Sequence, residues 1–345
     1  MLMPLLLAAL LPAAQDAPAA PAPPPAPWLE LSAARGPGAG RHIVLVSGDE
    51  EYRSEEALPM LAQVLAQRHG FRCTVLFAID TKDGTVNPEE RANIPGLQAL
   101  DDADLLVLFT RFRCLPDADM QHLVDYVRAG KPVIGIRTAT HAFAYDAEST
   151  SQFKGWSWDS ATPKGGFGQE LFGTTWVAHL GNHGHESTRG VVPEGAAKLP
   201  MLRGVHDVWG PTDVYAVPPL PADTTVLLEG SILSGMTPDS VAVDDPRNAP
   251  RTPVTWIREI VREGGGRQRV ACSTIGAAVD LKCEDLRRLF VNLCYWGVGL
   301  EKEIPEQADV TVVGTYEPTM FGFGGYRKGL KPGDLLGQAA AEAHR

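Results

Sequence analysis

The run Pro132-Val133-Ile134-Gly135-Ile136, followed at once by Arg137-Thr138-Ala139-Thr140-His141, decides how the chain folds. An uncharged apolar run this short reads as a strand buried on both faces, and the polar turn marks where it leaves the sheet. Three similar runs lie upstream: His42-Ile43-Val44-Leu45-Val46-Ser47, residues 73–79, and residues 104–110. Helical segments separate them. Ser54 is placed to cap a helix reaching His69, with Glu55 and Glu56 in its first turn and Gly70 as the stop. Asp117 is placed to cap another, which carries Met120, Leu123, Val124 and Val127 on one stripe and ends at Gly130. Strand, helix and strand joined by short links imply right-handed crossovers, hence an α/β fold with an open, mostly parallel sheet and helices on both faces.

Further out, residues 143–173 read as a long loop rich in Gly, Trp and Ser. Strand-like runs return at 175–180, 224–229, 254–260 and 270–275, and an apolar helix spans about 285–298. Beyond Ile304 the chain turns irregular, with Phe321-Gly322-Phe323-Gly324-Gly325-Tyr326, and reads as an extended arm. At the other end, Met1 to Ala14 is an apolar stretch followed by small residues, as in a secretory signal, although it lacks the usual Lys or Arg. The expected layout is a signal peptide over 1–14, a Pro/Ala-rich linker over 15–40, one domain over 41–304, and an arm and tail over 305–345. The product would be exported to the periplasm or cell exterior of a Gram-negative-type bacterium.

Composition excludes several classes. The chain has 345 residues and a net charge of −11, which disfavours a nucleic-acid partner. No apolar run reaches the ~20 residues of a membrane-spanning helix. Cys73, Cys114, Cys272, Cys283 and Cys294 form no CxxC pair, so neither a zinc ribbon nor a disulfide framework is expected, and buried thiols are the plain reading for three of them. A homo-oligomer is compatible with this composition.

Open parallel sheets bind ligands outside the carboxyl ends of their strands. The first strand is followed there by Asp49, Glu50, Glu51, Tyr52 and Arg53, the third by Arg111 and Arg113, and the fourth by Arg137, Thr138, Thr140 and His141. Each arginine has a plain alternative as a surface or structural ion pair. Arg137 stands out, because a guanidinium ending an uncharged strand needs a buried acid or a polar ligand. A second cluster, His179-Leu180-Gly181-Asn182-His183-Gly184-His185-Glu186, places His183 and His185 on one side of an extended segment. With His141 or His206-Asp207 these two are candidates to hold zinc or manganese, or else to hydrogen-bond substrate or carry protons. Trp156, Trp158, Trp176, Trp209 and Tyr215 add aromatic faces of the kind that stack on sugars, though core packing is the plain reading of each.

The turn Gly135-Ile136-Arg137-Thr138-Ala139-Thr140-His141-Ala142-Phe143, with the acidic turn 48–53, His183-Gly184-His185 and the run Asp207-Val208-Trp209-Gly210-Pro211-Thr212-Asp213-Val214-Tyr215, resembles the ThuA-like (trehalose-utilisation) family. It is similar to the exported variety of planctomycete-type bacteria, from Arg41 to Asp334. The resemblance implies a flavodoxin-like fold related to class I glutamine amidotransferases, and a link to sugar metabolism. In those amidotransferases the turn reads G-[IV]-C-x-G-x-Q; here Arg137 stands where the nucleophilic cysteine would be, and a guanidinium cannot attack a carbonyl. A glutaminase is therefore excluded.

The expectation is an enzyme that binds and converts a small sugar, sugar acid or oxidised (keto) glycoside. Arg137 and Arg111 would hold the ligand, and His141 would be the general acid/base with His183 or His185. Asp49, Glu50 and Glu51 would orient it, while Tyr52, Arg53, Arg113, Thr138, Thr140 and Trp209 complete the binding set. No organic cofactor is expected, and a divalent metal is an option. A carbohydrate-binding protein without catalysis and a metal-dependent hydrolase are the rival readings. The acidic turn after the first strand speaks against a nucleotide or flavin site.

Overall fold

The computed structural model describes residues 26–336; the expected signal peptide lies outside the described residues. In chain order the strands and helices are β1 (Trp28–Leu31), β2 (His42–Gly48), α1 (Ser54–His69), β3 (Arg72–Phe77), β4 (Leu105–Thr110), α2 (Asp117–Arg128) and β5 (Val133–Ile136). They continue through α3 (Gly166–Phe172), β6 (Ala178–His179), β7 (Ser187–Val191), β8 (Val208–Gly210), β9 (Tyr215–Ala216), β10 (Thr224–Leu233), β11 (Thr252–Val261), β12 (Arg267–Ser273) and α4 (Glu284–Gly297).

Ten strands form one sheet in the order β1-β3-β2-β4-β5-β12-β11-β10-β7-β8. The stretch β3-β2-β4-β5-β12 is parallel throughout, the doubly wound order of flavodoxin-like folds. Antiparallel strands extend it on both sides. Strand β2 shows why the sheet is buried on both faces. Ile43 and Leu45 pack into the layer that holds α1 and α4, whereas Val44 and Val46 pack into the layer that holds α2 and α3. A two-residue side-chain period cannot do otherwise between two helical layers.

Several local readings change. The folded chain begins ahead of Arg41, because Trp28–Leu31 pairs antiparallel with β3. Ser54 is the first helical residue rather than a cap: its hydroxyl meets Ser47 Oγ at 2.8 Å and accepts from Asp49 N, while Arg53 takes the cap position with φ 61°. Asp117 likewise caps nothing and instead accepts from Ser151 and Gln152. The 143–173 excursion contains α3, which docks so closely on the turn after β5 that a Cβ at Gly168 would lie 2.0 Å from Thr140 O. Of the 175–180 run, only Ala178–His179 is a strand. The arm beyond Ile304 is irregular as expected and straps the carboxyl edge of the sheet. Gly322 N donates to Glu51 O (2.8 Å), Thr319 N to Glu56 (2.6 Å), and Val86 N to Leu330 O (2.7 Å). All five cysteines are free, and no described helix is long and apolar enough to cross a membrane.

Glu55, read from the sequence as a helix-dipole acid, lies fully buried with neither carboxylate oxygen hydrogen-bonded. Burial pushes it up to about 8. Between the ordinary glutamate value of ~4.3 and that point, the folded chain keeps a proton the unfolded chain has released, so stability falls as pH rises. Glu55→Gln is expected to remove this loss, so that urea denaturation shows the variant gaining on the parent between about pH 5 and pH 8. Parallel curves would mean that Glu55 is solvated.

Candidate functional site

The turns after β2, β4 and β5 meet at one edge of the sheet and are tied together through their backbones. Arg111 N donates to Gly48 O (2.9 Å) and Phe112 N to His141 O (2.9 Å). Each turn holds one residue in the left-handed region: Arg53 (φ 61°), Phe112 (φ 53°) and Arg137 (φ 47°) are the non-glycine residues of positive φ among those described. Strain of this kind persists only where the surrounding structure over-determines it, and it gathers at functional sites.

Arg137 does not reach toward a ligand. Its side chain is completely buried between the rings of Tyr52 and Tyr215, with Cζ 4.5 and 3.9 Å from their centroids. Nη2 donates to Asp213 Oδ1 (2.9 Å) and Tyr52 Oη (3.3 Å), and Nη1 donates to Asp213 O (2.8 Å) and Thr274 O. The buried acid that the sequence argument called for is therefore Asp213. Burial alone would raise the Asp213 carboxyl, but the Arg137 guanidinium and two imidazoles outweigh it and hold it well below the usual range. An ionised carboxylate only accepts hydrogen bonds. His179 Nδ1 lies 2.7 Å from Asp213 Oδ2 and His183 Nδ1 lies 2.9 Å from Oδ1, so both Nδ1 atoms carry the proton and donate. In the neutral rings both Nε2 atoms are then left as lone-pair acceptors.

His183 Nε2 faces Glu51 Oε1 at 3.4 Å. Burial and the neighbouring Asp49 raise the Glu51 carboxyl. Two lone pairs at that separation call for a proton or a cation between them. Arg111 reaches the same carboxylate at 3.7 Å while donating Nη1 to Glu50, and its Nη2 donates to no described residue. His141 is almost fully buried with Nδ1 3.0 Å from Thr140 Oγ1. Burial, helped by Arg111, Arg137 and His179, holds its imidazole well below the ordinary histidine value, which keeps it neutral. Phe112, Trp158, Trp176 and Tyr215 surround these groups, linking His141 to His179 through ring contacts of 5.1–6.3 Å.

Other expected residues are elsewhere or support from behind. Asp49 accepts from Glu51 N, Tyr52 N and Thr138 Oγ1, which shapes the acidic turn. Arg113, fully buried, donates to Pro88 O, Glu90 O, Arg111 O and Glu50. Arg53 clamps the C-terminal strap through Thr319 and Gly322 O. Trp209 sits on edge strand β8 and donates to Ser187 Oγ (3.2 Å). His185 and His206 are exposed, and Asp207 pairs with Arg189. The partner of His183 is thus His179, four residues earlier, because both imidazoles converge on Asp213, while the turn at Gly184 (φ 75°) carries His185 away from them. Asp280, missed by the sequence reading, accepts from Thr212 N and Oγ1, Gly276 N and Ala277 N, and so fixes the loop that carries Asp213.

His179, His183 and Asp213 offer ligand atoms all within 4.8 Å of one another. Asp213, however, already accepts from both imidazoles and from Arg137, so it orients ligands rather than being one. A cation between His183 Nε2 and Glu51 would fit the 3.4 Å that separates them, which matches the ~3.3 Å edge of a tetrahedral zinc site. A separate cleft of about 470 Å³, lined by Asp223, Arg258, Arg269 and Glu301, lies toward the amino end of β12, and its arginines are paired with acids.

Asp213→Asn would leave the Arg137 guanidinium buried without a counter-ion. The expected loss at neutral pH is about 3–5 kcal/mol of unfolding free energy. The stability contributed by this depressed carboxyl is fully present above about pH 4 and lost as pH falls further, so the gap between the proteins should narrow on acidification. A gap below ~1 kcal/mol in urea denaturation, or one independent of pH, would contradict the pairing.

No family model matches the chain, and no curated protein does. Among solved structures the chain is similar to a protein provisionally named thua-like from Parabacteroides merdae ATCC 43184, at 12% identity over 75% of this chain and 90% of that one, with a TM-score of 0.45. It is also similar to one of the same provisional name from Bacteroides uniformis ATCC 8492, at 14% identity over 76% and 93%, with a TM-score of 0.47.

Proposed function

We propose that the chain is an exported ThuA-like protein of carbohydrate metabolism that binds a small sugar, sugar acid or keto-glycoside and moves a proton on it. The observation that carries this reading is the pair of imidazoles whose Nδ1 protons are both tied to one ionised carboxylate, which leaves His183 Nε2 facing Glu51, itself 3.7 Å from Arg111. The aromatic surround supports a sugar, whose ring is apolar on its faces and polar at its rim. Export rests on the apolar amino-terminal sequence alone.

In the proposed step, His183 Nε2 takes the proton from a carbon beside a carbonyl. The C–H bond breaks, an N–H bond forms, and the electron pair moves to the carbonyl oxygen, where Arg111 Nη2 is placed to stabilise the negative charge. Isomerisation follows when the hydroxyl proton on that carbon passes to the former carbonyl oxygen and His183 returns its proton to the former carbonyl carbon. Elimination follows instead when the enolate electrons re-form the carbonyl, make a C=C bond and expel a group from the β carbon with its electron pair. Asp213 stabilises the imidazolium in between, as a buried carboxylate does for a catalytic histidine. Glutaminase chemistry lacks its nucleophile, because the elbow is occupied by Arg137.

A second reading, a metal-dependent hydrolase, is favoured by the spacing of His183 Nε2 and Glu51. Zinc or manganese there would polarise a carbonyl or activate water. A carbohydrate-binding protein without catalysis is the third.

One experiment separates the three. A panel of keto-sugars is incubated in D2O and followed by NMR. The parent is expected to wash deuterium into the position beside the carbonyl, and His183→Asn to slow this by at least ~10²-fold while calorimetric affinity stays within about tenfold. Binding without exchange favours the non-catalytic reading. Near-stoichiometric zinc or manganese in untagged protein, lost in His179→Ala/His183→Ala, favours the metal reading.

A further inference from the structure

The strap carries an aromatic side chain that the fold leaves in water. Phe323 is 63% exposed, the one aromatic among the exposed large hydrophobics of the described residues, and Met320 beside it is 49% exposed. This is not a frayed end. Gly322 is held on both sides, its N–H on Glu51 O and its carbonyl on Arg53 Nη2 (2.6 Å), and Arg327 further along donates to Glu317 O. Gly322 (φ 135°) and Gly324 (φ 68°) bracket Phe323 in backbone conformations that other residues rarely adopt, and no atom lies within 4 Å of a Cβ built at Gly322. The glycines therefore serve the shape of the turn, which turns the ring outward, rather than close packing.

The ring comes to rest against Arg111, whose Cζ lies 5.0 Å from the Phe323 centroid and 4.4 Å from that of Phe112. Arg111 in turn is 3.7 Å from Glu51, which faces His183. One row of contacts thus runs from the reactive imidazole through Glu51 and Arg111 to an exposed aromatic face. Phe321, two residues earlier, packs inward on Tyr52 (5.7 Å) and His183 (5.2 Å) and so belongs to the inner site. The strap presents one phenylalanine to each side.

We infer that Phe323 and Arg111 form an outer subsite for a second ring of the ligand, one with an apolar face and a hydroxyl or ether rim, such as the aglycone or next sugar of a glycoside. The apolar face stacks on Phe323, and Arg111 Nη2, which has no hydrogen-bond partner among the described residues and carries two N–H groups, directs one to the inner carbonyl oxygen and donates the other to the rim. Such a subsite selects glycosides over free monosaccharides. The inference rests on the proposed sugar site and deepens it.

The test uses methyl and phenyl glycosides of the same sugar, run for glucose, galactose and mannose, with affinities from calorimetry. In the parent the phenyl glycoside of the recognised sugar is expected to bind about three- to tenfold more tightly than the methyl glycoside. In Phe323→Ala that advantage should shrink to within about twofold, with methyl glycoside affinity unchanged, and Phe323→Tyr should restore it. Since the side chain is largely exposed, the alanine variant should retain the parent's melting temperature. An undiminished phenyl advantage in Phe323→Ala overturns the subsite. Equal loss of methyl and phenyl glycoside binding also overturns it, by placing Phe323 in the inner site. If the parent binds none of these glycosides, the sugar-site reading fails and the subsite with it.

Discussion

The buried ion pair between Arg137 and Asp213 is the constraint on which the rest of the site depends. Two fully buried opposite charges are tolerable only when their remaining hydrogen-bonding capacity is satisfied. Here it is nearly so: the guanidinium is capped by two backbone carbonyls and flanked by two tyrosine rings, and only Nε lacks a partner. Because Asp213 is held ionised, it dictates the tautomer of both histidines that touch it. The ion pair thereby fixes the orientation of both imidazoles. The turn after β5 takes a left-handed backbone at Arg137, and that strain serves to hold a charge inside the protein.

The sheet explains why these groups meet. Strand β2 lies between β3 and β4, so the crevice outside its carboxyl end is the switch point where doubly wound folds place ligands. Glu50, Glu51 and Arg111 come from the two turns that border that crevice. The antiparallel extension β11-β10-β7-β8 then carries the chain back and delivers Asp213 and the histidine loop from the other side. Asp280, buried at the turn after β12, joins the two halves with four accepted hydrogen bonds.

Much of this is legible in the sequence. The apolar runs at β2, β4 and β5 read correctly because strands buried on both faces lack the polar alternation that would make them ambiguous. Arg137 was identifiable as a charge requiring a partner, and Asp213 lay within a quoted motif. Their pairing was not legible, since 76 residues separate them and nothing local couples them. The histidine pairing was misread for a local reason. An extended segment would put His183 beside His185, whereas a left-handed turn at Gly184 sends His185 into solvent and leaves His183 with His179. The helix caps failed because Ser54 and Asp117 had better partners in neighbouring loops than in their own helices. Strands β1, β7 and β8 were overlooked because they are edge or near-edge strands of only 4, 5 and 3 residues, too short to show a period.

The most direct test of the central claim is the tautomer of His179 and His183, read from the ring-nitrogen shifts of 15N-histidine-labelled protein in long-range 1H–15N correlation spectra. With Asp213 ionised against Arg137, both rings in their neutral form should be protonated at Nδ1, with Nε2 at the shift of an unprotonated imidazole nitrogen. Resonances showing Nε2–H tautomers, or rapid exchange between the two tautomers, would mean that Asp213 does not govern the pair, and the account of the site would be wrong.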